Sequence, residues 1–324
     1  MESRRLPFNL AIGAEPAALQ GEAGDRAYSL VLADATTWGF LATTATHGWL
    51  RHLAHFMALD VAGDVPTQHT VTFVRASECD GKLVGDAGAT EASSEGERAL
   101  HGVRCLRKQG GASPTPGVHL LCDIGTQDGK ATEIEKMRLA LHFFLGEVER
   151  CGGFVFHGAL IEQDGRGVIL AAPSGTGKST QCARLPDPWT TLSDDEAMVI
   201  RNTGGTYQAH PLPSWSRCIE TSCDLTWPAA RHVPVAAVCF LEQAASDAIR
   251  PVPAGTAAML INASTNAHFY HTASKYTEPE RRRARQQVFH NACRIAECVP
   301  CFILRTSRTG RFWTHIERTL ASGL

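Results

Sequence analysis

The sequence holds no apolar run of the length that a bilayer requires, about 20 consecutive apolar residues for a helix. Residues Met1 to Leu19 carry Arg4 and Arg5 but no apolar core of signal-peptide length. Neither a membrane partner nor secretion is expected, and the cytoplasm is the expected compartment. An excess of one charge is also lacking. The 31 Lys and Arg nearly balance 33 Asp and Glu, leaving a net charge of −2. Such a chain offers no general basic surface, which argues against nucleic acid as a partner. A disulfide framework is not indicated either. The 11 cysteines are odd in number, and Cys122 and Cys239 sit in apolar runs, as reduced core thiols do.

What is there is enough for two domains, since the chain has 324 residues. Residues 1–130 carry short apolar runs, Tyr28 to Ala33, Trp38 to Thr43, His69 to Arg75 and His119 to Ile124. Clusters of Gly, Asp and Pro separate them, which predicts a small strand-rich α+β domain suited to holding a substrate. Trp49 to Ala58 has helical spacing. Asp86 to Glu97 and Gly110 to Gly117 read as loops. Residues 131–324 form the second domain. It is entered by a helix over Glu133 to Arg150 that ends at Gly152-Gly153. Strands are expected at Phe154 to Ile161, Val168 to Ala172, Thr190 to Leu192, Glu196 to Arg201, Thr206 to Ala209, Val233 to Leu241 and Cys301 to Arg305. Helices are expected at Glu278 to Glu297 and Phe312 to Leu320. This is an α/β class pattern with a mixed sheet.

The most specific motif is Ala172-Pro173-Ser174-Gly175-Thr176-Gly177-Lys178-Ser179-Thr180. It follows the apolar run Gly167 to Ala171 and opens a helix expected over Ser179 to Leu185. Strand, glycine loop, Gly-Lys-Ser and helix is the phosphate-binding P-loop in its proper context. Phosphates are wrapped by backbone N–H groups, so Gly175 and Gly177 stand where a side chain would block approach or φ must be positive. Lys178 reaches the β- and γ-phosphates, and the Ser179 hydroxyl can ligate Mg²⁺. Ala172 departs from the usual Gly at the first position. The guanine-reading Asn-Lys-x-Asp motif is missing, so ATP is the expected nucleotide.

Sixteen residues beyond Lys178, the run Trp189 to Ser193 reads as a strand ending in Asp194-Asp195. One acid beside Mg²⁺ suffices for a plain NTPase. Adjacent residues at a strand end point in different directions. One Asp can therefore serve the metal while the other faces an acceptor hydroxyl as general base.

His157-Gly158-Ala159-Leu160-Ile161, a turn at Gln163 to Gly167, the P-loop and Leu192-Ser193-Asp194-Asp195 together resemble the kinase core of HPr kinase/phosphorylase. The fold of that family is also similar to ATP-dependent phosphoenolpyruvate carboxykinase. Within the superfamily, the chain looks most like the HPr-kinase-like proteins of SynChlorMet peptide-modification cassettes. His210 to Ser216 and Phe240 to Ala244 support this, and the resemblance runs from Gly152 to the C-terminus. It implies transfer of the ATP γ-phosphate to a serine of a precursor peptide or small protein. Carried over, Asp195 is the general base, Asp194 and Ser179 hold Mg²⁺, Lys178 binds the phosphates and His157 sits beside phosphate or metal. The two aspartates could exchange roles. The glycine-rich signature of the phosphorylase reaction is not recognisable, which points to a dedicated peptide kinase. A kinase of a free small molecule and a regulatory ATPase without an acceptor are the alternatives, and homo-oligomerisation is open.

Other features are weaker. His290, Cys293, Cys298 and Cys301 can be written as a zinc set, but their apolar neighbours favour core thiols. His47, His52 and His55 have no acid nearby in sequence and read as exposed structural histidines, and His268 to His271 lacks a convergent acid. Trp215, between Pro213 and Arg217, is weighed as an exposed contact on a substrate flap against plain packing. Arg217 is a candidate phosphate clamp. Arg281 to Arg285 is weighed as a grip for an acidic peptide against a solvated face.

Overall fold

The computed structural model describes residues 27–63, 67–75, 97–100, 103–109, 117–125, 130–220, 225–265 and 278–322. Within them the protein is mixed α/β, with seven helices and two mixed sheets. The chain divides into two compact units, residues 1–30, 37–54 and 60–140, and residues 31–36, 55–59 and 141–324. Among the described residues, no helix is long and apolar enough to cross a membrane.

The first sheet contains β1 (Ala27–Val31), β2 (Thr37–Ala42), β3 (Asp60–Val61), β4 (His69–Val74), β5 (Glu97–Leu100), β6 (Val103–Gln109) and β7 (Val118–Asp123). Their order is β3-β1-β2-β4-β7-β6-β5. The central pairs β2–β4 and β4–β7 are parallel, and β5, β6 and β7 are antiparallel neighbours. Parallel neighbours need a long crossover, and α1 (His47–Met57) lies in the one joining β2 to β4. Phe40, Val71, Phe73, Leu120 and Cys122 are buried along these strands. Neither β5 nor β6 is expected from the sequence, because Val103-Arg104-Cys105-Leu106-Arg107-Lys108-Gln109 has too few apolar residues to stand out. Residues 86–96 and 110–116, read as loops, lie outside the described residues, as do His268 to His271.

The main span of the second unit, from residue 141, begins within α2 (Lys130–Arg150). The helix ends as its glycines predict. Gly152 has φ +98°, and Gly153 N–H donates to the Val148 carbonyl at 3.0 Å, so the last turn is closed by a left-handed residue. The eight-stranded sheet then takes β8 (Phe154–Gln163), β9 (Arg166–Ala171), β10 (Thr190–Ser193), β11 (Glu196–Arg201), β12 (Tyr207–Pro211), β13 (Val233–Gln243), β14 (Ala248–Pro251) and β15 (Cys301–Thr306). β9 lies between β8, antiparallel, and β13, parallel. β15 is parallel to β13, and β14 closes that side. Both long strands change partners along their length. β8 pairs with β11 through Phe154 to His157 and with β9 from Gly158 onward.

Alternation along these strands makes the core. Ala159 and Ile161, Val168 and Leu170, Ala237, Cys239 and Leu241, and Phe302 and Leu304 share one cluster with Phe312 and Ile316 of α7 (Phe312–Ala321). Successive strand side chains face opposite ways, so this is a single face. The helices α5 (Ala254–Ala263) and α6 (Glu278–Cys298) pack on each other and meet β15 and β8. The short helix α3 (Lys178–Cys182) is less than the expected Ser179 to Leu185. Beyond it, two looser turns carry the chain to Leu185, before Pro186. The sequence reading does not foresee α4 (Trp215–Glu220), α5 or β14.

Candidate active site

Pairing on β8 brings the candidate residues together. β10 and β11 both run antiparallel to it, with Ser193 opposite Leu160 and Glu196 opposite His157. Asp194 and Asp195 occupy the break between the two strands. Gly158, next to His157, pairs with Ala171 at the end of β9. A Cβ at Gly158 would lie 3.0 Å from the Leu170 carbonyl oxygen and 3.3 Å from the Ala171 Cα. β9 then delivers the glycine loop, 172–177, beside His157 and the two aspartates.

The loop has the backbone that its sequence predicts. Gly175 and Gly177 have φ of +78° and +102°, a region that L side chains avoid. No atom lies within 4 Å of an added Cβ at either residue, so it is the conformation, not crowding, that requires glycine here. Ala172 is buried in the same cluster as Val168 and Leu170. Its methyl continues the inward face of β9, which explains why this first loop position carries a side chain. Gln243, at the end of β13, donates to the Thr176 carbonyl at 3.2 Å and ties the loop to the sheet. Pro173, Ser174, Ser179 and Thr180 are exposed on the loop and the first turn of α3.

Lys178 is 7 % exposed. Its Nζ donates to the Ala172 carbonyl at 2.9 Å and lies 3.0 Å from His157 Nε2. A lysine ammonium can only donate. His157 therefore accepts at Nε2 and carries its proton on Nδ1, 3.4 Å from Asp195 Oδ1. The three side chains form a line, Lys178–His157–Asp195, in which the Lys178 contact sets the imidazole tautomer and Asp195 lies within ion-pair reach of Nδ1. Burial pushes the Lys178 ammonium below the usual lysine range, while Asp195, Cys182 and Asp194 act in the opposite sense. Asp195 is 30 % exposed, so its carboxylate reaches solvent.

Asp194 is held differently. Its side chain is 7 % exposed, and both oxygens are engaged. The buried Ser214 hydroxyl donates to Oδ1, and Arg217 Nε lies 3.2 Å from Oδ2. Ser214 and Arg217 are three residues apart, just before and inside α4. That short helix is anchored by Trp215, whose ring meets Phe56 edge-on at 6.5 Å. Trp215 is 3 % exposed, so the reading of it as an exposed contact on a flap is overturned and the packing reading stands.

The remaining expectations divide. His210 is fully buried, accepting from Ala33 N–H at Nε2 and donating from Nδ1 to the Ala229 carbonyl. His52 lies 3.7 Å from Glu133 Oε1, an acid brought near by folding and invisible along the sequence. Arg281 and Arg285 both face Glu278 on their own helix. Cys301 is buried and Cys298 exposed. Among the described residues, no three His, Cys, Asp or Glu side chains converge as a metal set. The sequence reading assigns no role to Ser214 or Gln243. Ser214 does follow the Pro-Leu-Pro run after β12, and Gln243 ends the longest strand, but neither position signals a partner.

Residues 120–321 match the family model of SynChlorMet cassette protein ScmC. No curated protein matches the chain. The match covers more than half of the sequence, and the chain belongs to that family.

Proposed function

We propose that this member of the ScmC family is an ATP- and Mg²⁺-dependent kinase of the HPr-kinase-like superfamily. It transfers the γ-phosphate to a serine, or another nucleophilic side chain, of a precursor peptide or small protein in ribosomal-peptide modification. The observation that carries this reading is the line Lys178–His157–Asp195 at the mouth of a glycine loop with two positive-φ residues. A phosphate-binding cation and a solvent-reachable carboxylate are joined there through one imidazole. A switch ATPase needs the first of these but not the second.

The exposures of the two aspartates, 7 % for Asp194 and 30 % for Asp195, support the following roles. Asp195 accepts the proton of the acceptor hydroxyl, whose oxygen bonds to the γ-phosphorus as the bond to the β-phosphate oxygen breaks and ADP leaves. Lys178 holds the β- and γ-phosphates, and the backbone of 173–177 wraps them. His157 keeps Lys178 and Asp195 aligned. Asp194 and Ser179 would hold the cation. They are hard oxygen donors and too few to enclose an ion, which suits Mg²⁺, an ion that keeps waters and substrate phosphates among its ligands. When bound, Mg²⁺ neutralises charge on the transferring phosphoryl group. Most of the acceleration then comes from positioning and charge, with little covalent work for the protein.

The test is mass spectrometry of candidate precursor peptides encoded beside the gene, after incubation with enzyme, ATP and Mg²⁺. A peptide gaining one phosphate on a serine supports the reading. Lys178→Ala and Asp195→Asn are expected to abolish that gain while leaving the unfolding transition in place. Full transfer by Asp195→Asn would overturn the base assignment. Phosphorylation of free small molecules alone, or ATP consumption with no phosphorylated acceptor, would replace the peptide-kinase reading.

A further inference from the structure

The carboxylate assigned to the metal already carries a cation of the protein's own. Ser214 and Arg217 take one oxygen of Asp194 each, yet the two ligands differ in freedom. Ser214 is fully buried. The Arg217 side chain is 50 % exposed, and its pair with Asp194 Oδ2 spans 3.2 Å. Between them Trp215 is locked into the core against Phe56, so the start of α4 is a fixed base from which one buried and one half-exposed group reach Asp194. Further cationic charge is close: Lys178 interacts electrostatically with Asp194 as well as with Asp195.

We infer that Arg217 is an internal counter-ion which competes with the divalent cation for Asp194, making it a positioning residue for the metal. This rests on the reading of Asp194 as a metal carboxylate. In the protein without nucleotide, Arg217 neutralises Asp194 and lowers its affinity for a free cation. With a cation and nucleotide phosphates present, Asp194 would give up its pair with Arg217 to help hold the cation, while Ser214 keeps Oδ1 in place so that the carboxylate does not rotate. Arg217 swings outward on its exposed side, leaving its charge beside the anionic phosphates that displaced it. The arrangement favours the metal–nucleotide complex over the bare metal, because the bare ion brings no anion to receive the displaced guanidinium.

Mn²⁺ is a suitable probe, since its binding to the full chain is read directly by electron paramagnetic resonance with no reaction required. Without nucleotide, Arg217→Ala is expected to bind Mn²⁺ about two- to fivefold more tightly than wild type, a factor set by the modest strength of a half-exposed ion pair. Arg217→Lys, which keeps the charge, is expected to stay near wild type. In the presence of a non-hydrolysable ATP analogue, the gap between wild type and Arg217→Ala should shrink. Asp194→Asn should bind weakly whether or not Arg217 is replaced. An Arg217→Ala protein that binds Mn²⁺ no more tightly than wild type would overturn the inference. So would equal gains for Ala and Lys, which would point to sterics rather than charge. These readouts are independent of phosphate transfer. A failed peptide assay with the Mn²⁺ shift present would count against the acceptor reading alone.

Discussion

At the residue scale, two buried bases give pH-dependent predictions of opposite use. His210 has its imidazole pushed down to about 4, chiefly by burial, with the Ala229 carbonyl acting in the other direction. The unfolded chain therefore binds a proton near pH 6.5 that the folded chain refuses until about pH 4. Stability is full above that window and falls as pH drops through it, by on the order of 3 kcal/mol from this residue. Urea unfolding at pH 7 and pH 4.5 checks it. His210→Asn should be weaker at neutral pH but lose less on acidification. Lys178 is lowered too, by burial. If the chain is the ATP-dependent kinase proposed above, bound phosphates favour the charged form of Lys178, and ATP binding at alkaline pH should be accompanied by proton uptake. Calorimetry in buffers of different ionisation enthalpy measures that uptake, and Lys178→Met should abolish it. Gly177→Ala tests the loop: a methyl at φ +102° strains the backbone by about 1–2 kcal/mol with no clash to relieve. Nucleotide affinity should fall while the thermal transition stays within a few degrees of wild type.

At the scale of elements, what could be read from the sequence depended on how apolar each segment is. β8, β9, β13 and β15 are rich in apolar residues that are mostly buried, as expected of strands covered on both faces, and their positions follow from composition alone. β11 even begins and ends where expected, at Glu196 and Arg201. β6 and β14 do not announce themselves: the first alternates with Arg and Lys, and the second is four residues, Ala248-Ile249-Arg250-Pro251, three of them exposed. The candidate site was legible where a residue type is demanded by chemistry, at Gly175, Gly177, Lys178 and the Asp pair. It was illegible where a residue serves another residue. Nothing along the chain says that Ser214 finds Asp194, or that His52 finds Glu133, because those partners are set by tertiary packing. Two elements make strong mutational tests. Asn291 of α6 is fully buried and donates from Nδ2 to the carbonyls of Glu149 and Gly153, each at 2.8 Å. Asn291→Ala strands both acceptors and should destabilise by about 2–4 kcal/mol. Phe312→Ala empties the middle of the second unit's core, beneath the Arg184 guanidinium at 5.8 Å, and should destabilise by about 3–5 kcal/mol.

At the scale of the whole molecule, burial among the described residues is achieved without covalent staples. Nine cysteines in the described residues take part in no disulfide. Desolvation pushes the Cys301 thiol up to about 12, which keeps it from reacting as a thiolate. Reductant should therefore leave the unfolding midpoint unchanged.

The break between β10 and β11 has a hereditary consequence. The two aspartates sit in a gap whose length is measured on both sides by one continuous strand, β8. Substitution within Leu192 to Ala197 changes chemistry at one position. Insertion or deletion of a single codon there would turn the rest of β11 over and send its buried side chains to the wrong face. The turn Asn202 to Thr206 sets the register of β11 on β12 instead, so a change in its length shifts that pair and leaves the spacing of the two aspartates on β8 as it is. In the six residues around Asp194 and Asp195 it is the spacing, before the spelling, that descendants of this gene have to inherit.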